Sequence, residues 1–140
     1  MSGLREALDG PDVEIDYTIG DAFSGRTELS LRGDGAYRAS STATAGREPV
    51  EFTGTVSPAE AEGIVAALKD ARVWESAHVR SKPREDDPEA VIAVRSSDAR
   101  GEVRLWVSEI ARVPQFGAAQ DALLGFARRV SDGAILEQGR

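Results

Sequence analysis

Short runs in which apolar and polar residues take turns dominate this chain, and a side-chain period of two suits only extended strands with one dry and one wet face. Val13, Ile15, Tyr17 and Ile19 alternate with Glu14, Asp16 and Thr18, and Thr27, Leu29 and Leu31 with Glu28, Ser30 and Arg32. Tyr37 and Ala39 continue the pattern around Arg38, and Val50, Phe52 and Val56 do so against Glu51, Thr53 and Thr55. A second hairpin is expected near the C-terminal third, pairing Val94 with Val103, Ile92 with Leu105 and Arg95 with Glu102, all chemically sensible neighbours. The register of the first hairpin follows from its turn, Gly33-Asp34-Gly35. A three-residue loop sets Leu31 opposite Tyr37, Leu29 opposite Ala39 and Ser30 opposite Arg38. A two-residue loop would set Leu31 against Arg38 and charge the core, so the longer loop is expected, with Gly35 supplying its left-handed residue.

Helical signals occupy the gaps between strands. Ser57-Pro58-Ala59-Glu60 combines a serine cap, proline at the first helical position and a glutamate placed to close a capping box. Ala61, Ile64, Val65, Leu68 and Ala71 form the stripe that follows, and Trp74 is expected to close the core beyond it. A last helix should run from about Pro114 to Val130 with Phe116, Ala119, Leu123, Phe126, Ala127 and Val130 on its buried side, and Gly133 as its stop. The first residues suggest a short helical cap: Ser2 at its start, Leu4 and Leu8 on one face, and Gly10-Pro11 at its end. Ser40 to Arg47 looks like a flexible hairpin tip, and Glu75 to Glu89, with Pro83, Pro88 and many charges, a long loop.

The order is four strands, helix, long loop, two strands, helix. Strands and helices that each own one apolar side are satisfied by a single antiparallel sheet with both helices on one face, an α+β domain of about six strands. A chain of 140 residues fits one such domain. Residues 1–12 are expected as a cap segment, 13–133 as the domain and 134–140 as a flexible tail. The sheet's other face would carry Glu14, Asp16, Thr18, Glu28, Arg38, Arg104 and Trp106, among others.

Composition narrows the chemistry. With no cysteine and one histidine, disulfides, thiolate catalysis and zinc–thiolate sites are excluded, and imidazole chemistry has little to work with. A formal charge of −7 argues against a sequence-independent grip on nucleic acid. No stretch has the length and apolarity of a membrane span, and Met1-Ser2-Gly3-Leu4-Arg5-Glu6 lacks the pattern of a secretion signal, so a cytoplasmic location is expected. The histidine, His78, sits in the charged loop with no preorganised nucleophile and reads as solvated. Glu85-Asp86-Asp87 with Glu89 lacks the spacing and glycine of a calcium loop, so no metal is expected there. Gly20 to Gly25 superficially resembles a phosphate-binding turn, but a strand rather than a helix follows it, so no cofactor is expected. Arg32-Gly33-Asp34 is turn chemistry. The 17 basic residues include only Lys69 and Lys82 as lysines, and arginine suits interfaces because its planar fork binds carboxylates.

Alternation puts Trp106 on the wet face if Val103, Leu105 and Val107 face the helices. A tryptophan beside Arg104 there has the composition of an interface hot spot; the alternative is that Leu4 and Leu8 of the cap fold over it.

Ile19-Gly20-Asp21-Ala22-Phe23-Ser24-Gly25 is similar to the Gly-Gly-Phe-Ala-Gly loop of the emfourin-like inhibitors of thermolysin-type metalloproteases, small bacterial proteins, with Asp21 where that group has glycine. The resemblance extends through Leu29-Ser30-Leu31, Gly33-Asp34-Gly35, the Ser57-Pro58 helix, Asp86-Asp87 ahead of a strand, and the closing helix, so it covers most of the chain from about Val13. It implies a non-enzymatic domain, an inhibitor or accessory subunit, that docks onto a protein. Asp21 and Phe23, His78, Arg80, Asp86 and Asp87 of the long loop, and Arg104 with Trp106 are the residues expected to meet a protein partner. Two other classes compete: a small-molecule or metal binder using Glu14, Asp16 and Glu28 on the wet face, and self-association through an unpaired sheet edge.

Overall fold

The computed structural model describes residues 3–10, 12–21, 25–42, 50–75 and 89–131. Helix α1 (Leu4–Asp9) leads into strands β1 (Glu14–Asp21), β2 (Gly25–Arg32), β3 (Ala36–Thr42) and β4 (Val50–Thr55). Helix α2 (Pro58–Asp70) follows, then β5 (Glu89–Arg95), β6 (Arg100–Trp106) and helix α3 (Pro114–Val130). The strands form one open sheet in the order β4-β3-β2-β1-β5-β6, and every neighbouring pair is antiparallel. Ile15, Tyr17, Ile19, Leu29, Leu31, Ile92, Val94, Val103 and Leu105 point to one side and are buried there against the helices. The expected α+β architecture is therefore the one the chain adopts.

The β2–β3 hairpin has the three-residue loop and the register that its turn dictates, with Leu31 opposite Tyr37 and Leu29 opposite Ala39. Gly35 has φ +99, and a Cβ there would collide with the Val56 carbonyl oxygen. Only glycine satisfies both conditions. Asp34 fixes the turn by accepting from the Ala36 amide at 3.0 Å.

The β5–β6 register differs from expectation by two residues: Ile92 faces Val103, Val94 faces Gly101, and Arg95 faces Arg100 rather than Glu102. The cause is a four-residue turn. The Ser96 amide donates to the Ala99 carbonyl at 2.8 Å, and the Ser96 hydroxyl accepts from the amides of Asp98 and Ala99. Such a serine-anchored turn draws on local hydrogen bonds that the strand pattern does not reveal. The strand also ends at Trp106, so Val107, expected to extend it, opens the 3-10 turn Val107–Arg112.

The serine cap of α2 is formed as read, the Ser57 hydroxyl accepting from the Glu60 amide at 3.2 Å, but the Glu60 side chain turns to α3 rather than closing the capping box. The Glu60 carboxylate lies 4.0 Å from the Arg129 guanidinium of α3, tying the two helices together at their surface. Trp74 is partly buried against the core, with the Arg5 guanidinium 5.4 Å from its ring centre. α1 starts from Gly3 rather than Ser2 and places Leu4, Ala7 and Leu8 in the common core. It lies on the helical side of the sheet, because a Cβ at Gly101, opposite buried Val94, would strike the Leu4 backbone. β4 is one edge of the sheet: Val50, expected to be covered, is 47% exposed. The expected tip from Ser40 begins later, since β3 runs to Thr42. Most of that tip, most of the long loop, and the tail lie outside the described residues.

One buried polar contact was not anticipated. Gln120 falls within the buried stripe of α3 and donates from Nε2 to the Tyr17 hydroxyl at 2.9 Å. Burial drives the Tyr17 hydroxyl's pKa far above its ordinary value; Gln120 partly opposes this and the Asp121 charge adds to it. Above pH of about 10 an unfolded tyrosine sheds a proton that folded Tyr17 keeps, so the unfolded state binds fewer protons and stability falls as pH rises. We expect urea unfolding between pH of about 8 and 11 to show a Tyr17-dependent loss approaching about 1.4 kcal/mol per pH unit at the alkaline end. Tyr17→Phe should remove that slope while costing about 1 kcal/mol at neutral pH. An unchanged slope in the variant would contradict the burial.

Candidate functional site

The sheet face opposite the helices has no covering layer among the described residues, and the strand register sets its side chains in rows. One row reads Arg38, Ser30, Asp16, Ala93 and Glu102 from β3 to β6; the next reads Ser40, Glu28, Thr18, Val91 and Arg104. A third pairs Glu89 with Trp106 at the β6 end. Small side chains at the middle and long charged ones toward the sides leave shallow grooves, one of about 510 Å³ bordered by Asp16, Ala93, Arg95 and Glu102. A second, of about 270 Å³, lies on the other side of Asp16 toward Arg38.

The charges on this face are mostly answered by one another. Glu14 accepts from Arg95 at 2.6 Å and lies 3.9 Å from Arg32. Its hydrogen bond and charge raise the pKa of the exposed Arg95 guanidinium. Asp16 accepts from the Ser30 hydroxyl, Arg26 pairs with Glu28 at 3.2 Å, and Arg38 with Glu51 at 3.2 Å. The three acids expected to converge on a ligand are thus each turned to a separate partner. Among the described residues no group of three or more histidine, cysteine, aspartate or glutamate side chains is placed to hold a metal ion. Exposed pairs of this kind add little stability, about 0–1 kcal/mol each, but they fix the positions of the charges a partner would meet.

Trp106 lies on this face, half-buried, with Arg104 on its own strand and Glu89 opposite. Arg104 reaches Glu89 at 3.1 Å and Glu102 at 3.6 Å. Since α1 sits on the helical side, the cap does not fold over the tryptophan's face. Asp21 ends β1, its backbone paired with Gly25. Phe23, His78, Arg80, Asp86 and Asp87 lie outside the described residues. Of the expected partner-binding set, then, the fold brings Arg104 and Trp106 together. At the other end of β6 stands Arg100, which faces Arg95 across the hairpin and has no ion-pair partner among the described residues. Sequence reading missed Arg100 because pairing Arg95 with Glu102 concealed the like-charge neighbour.

Comparison with known protein families finds no match, and comparison with curated proteins finds none either. No helix of the described residues is long and apolar enough to cross a membrane.

Proposed function

We propose that the chain is a non-enzymatic protein-interaction domain that docks a protein partner through the open sheet face around Trp106, as an inhibitor or accessory subunit. The observation that carries this reading is a half-buried tryptophan, with Arg104 beside it on the same strand, on a sheet face with no second layer among the described residues. Tryptophan and arginine dominate interface hot spots because they bury large areas and bind carboxylates in fixed geometry. The likeness to emfourin-like inhibitors nominates a thermolysin-type metalloprotease as the partner class.

The test is inhibition of such a protease from the source organism by the purified chain and by Trp106→Ala. Wild type should suppress peptide hydrolysis, and the variant should need about 30-fold more protein for the same effect, as the loss of a hot spot implies. No suppression by wild type would remove the inhibitor reading. Equal suppression by the variant would move the docking surface away from Trp106.

A further inference from the structure

We propose that a second copy of this chain docks on the outer edge of β6, in one antiparallel register with the two-fold axis at Val103. The inference is independent of the partner-docking reading. β6 is the last strand of the sheet, and none of the described strands pairs with its outer side. Charges on an edge strand ordinarily discourage pairing. Here, among the registers that pair at least five residues of β6, their order favours a single alignment.

With the axis at Val103, Glu102 of each copy stands opposite Arg104 of the other, and Arg100 opposite Trp106. All four residues lie on the wet face, so by symmetry the seam adds two cross-strand ion pairs to the contacts Arg104 already makes with Glu89 and Glu102 of its own chain, and two guanidinium–indole contacts. On the helical face Gly101 meets Leu105 and Val103 meets its own copy. Moving the axis to Glu102 sets Glu102 against itself and Arg100 against Arg104; moving it to Arg104 sets that arginine against itself. An axis between residues would place wet-face side chains opposite dry-face ones, which strand pairing forbids. The register also supplies what the single chain lacks. Arg100 faces Arg95, whose guanidinium is held by Glu14 at 2.6 Å, and has no acid of its own among the described residues. Across the seam it meets the Trp106 ring instead. The opposite edge offers no such code, because Glu51 is the one ionisable residue of β4.

The experiment is sedimentation equilibrium of the full chain alone, over a range of concentrations, for wild type, Glu102→Arg, Arg104→Glu and the double exchange, with circular dichroism checking that each folds. Wild type should dimerise. Each single exchange places like charges together twice, so the dissociation constant should rise at least about a hundredfold. The double exchange restores opposite charges at both contacts and should return it to within about tenfold of wild type. A wild-type chain that stays monomeric to about 100 μM overturns the proposal. So does a dimer indifferent to the single exchanges, or one that the double exchange fails to recover. No partner protein enters this measurement, so its failure leaves the docking of the open face untouched.

Discussion

Phe126→Ala should lower the unfolding free energy by about 3–5 kcal/mol, measured by urea denaturation with an unchanged slope. Phe126 is completely buried in α3, and its ring meets Tyr37 of β3 edge-on, with centres 5.7 Å apart and planes at 90°. Truncation forfeits the transfer energy of the ring, opens a cavity where α3 covers the sheet, and breaks an aromatic pair worth about 0.5–1.5 kcal/mol beyond its area. The Arg129 guanidinium, 5.7 Å from the same ring, also loses its platform. Phe126→Leu keeps most of the volume and should cost well under half as much. Val50→Ala provides the contrast, since that side chain is 47% exposed on the edge strand and its loss should stay within about 0.5 kcal/mol. A loss below about 1 kcal/mol for Phe126→Ala would mean that α3 does not seat on the sheet through this residue.

Phe126 was legible in the sequence for the reason that makes it costly to remove: it belongs to a stripe whose spacing fixes a helix face. The same holds for Ser57-Pro58 and for Gly33-Asp34-Gly35, where short-range chemistry leaves one solution. What escaped reading depends on residues far apart in the chain. Gln120 carries no apolar signal that would place it in the α3 stripe, and Tyr17, its partner at 2.9 Å, is 103 positions away. The β5–β6 register hinged on whether Ser96 or the Arg95–Glu102 attraction governs the turn, and an exposed ion pair is the weaker of the two. Trp106 could be placed on the open face by alternation alone. Arg100, at the other end of the same strand, could not be singled out, since its importance appears only once the register sets it against Arg95 and on the outermost strand. The Gly20–Gly25 and Glu75–Glu89 loops gave motifs without periodicity, so nothing in their sequence fixes side-chain positions.

Gly101→Ala should destabilise the domain by about 2–4 kcal/mol, although it adds one methyl group to a strand position that normally welcomes a side chain. The added Cβ would point to the helical side and strike the Leu4 amide nitrogen, with the Leu4 Cα and Cβ only 2.9 Å away. Those are backbone and first side-chain atoms, so no rotamer change relieves the contact, and α1 must lift. Lifting exposes Leu4 and Ala7, both fully buried, and Leu8, 3% exposed. It also strains the Lys69–Asp9 ion pair, which ties α1 to α2 at 2.6 Å. The mechanism can be separated from ordinary loss of strand packing by a double-mutant cycle. Leu4→Ala alone should cost about 2–5 kcal/mol, as a buried leucine does. If Gly101→Ala acts by undocking α1, most of that energy is already gone in its background, and the two substitutions together should cost well below their sum. Additive effects would instead show that α1 holds its place and that the added methyl group is accommodated within β6. Non-additivity would make a six-residue helix, too short to hold its form alone, a part of the core whose position is set by the absence of one side chain.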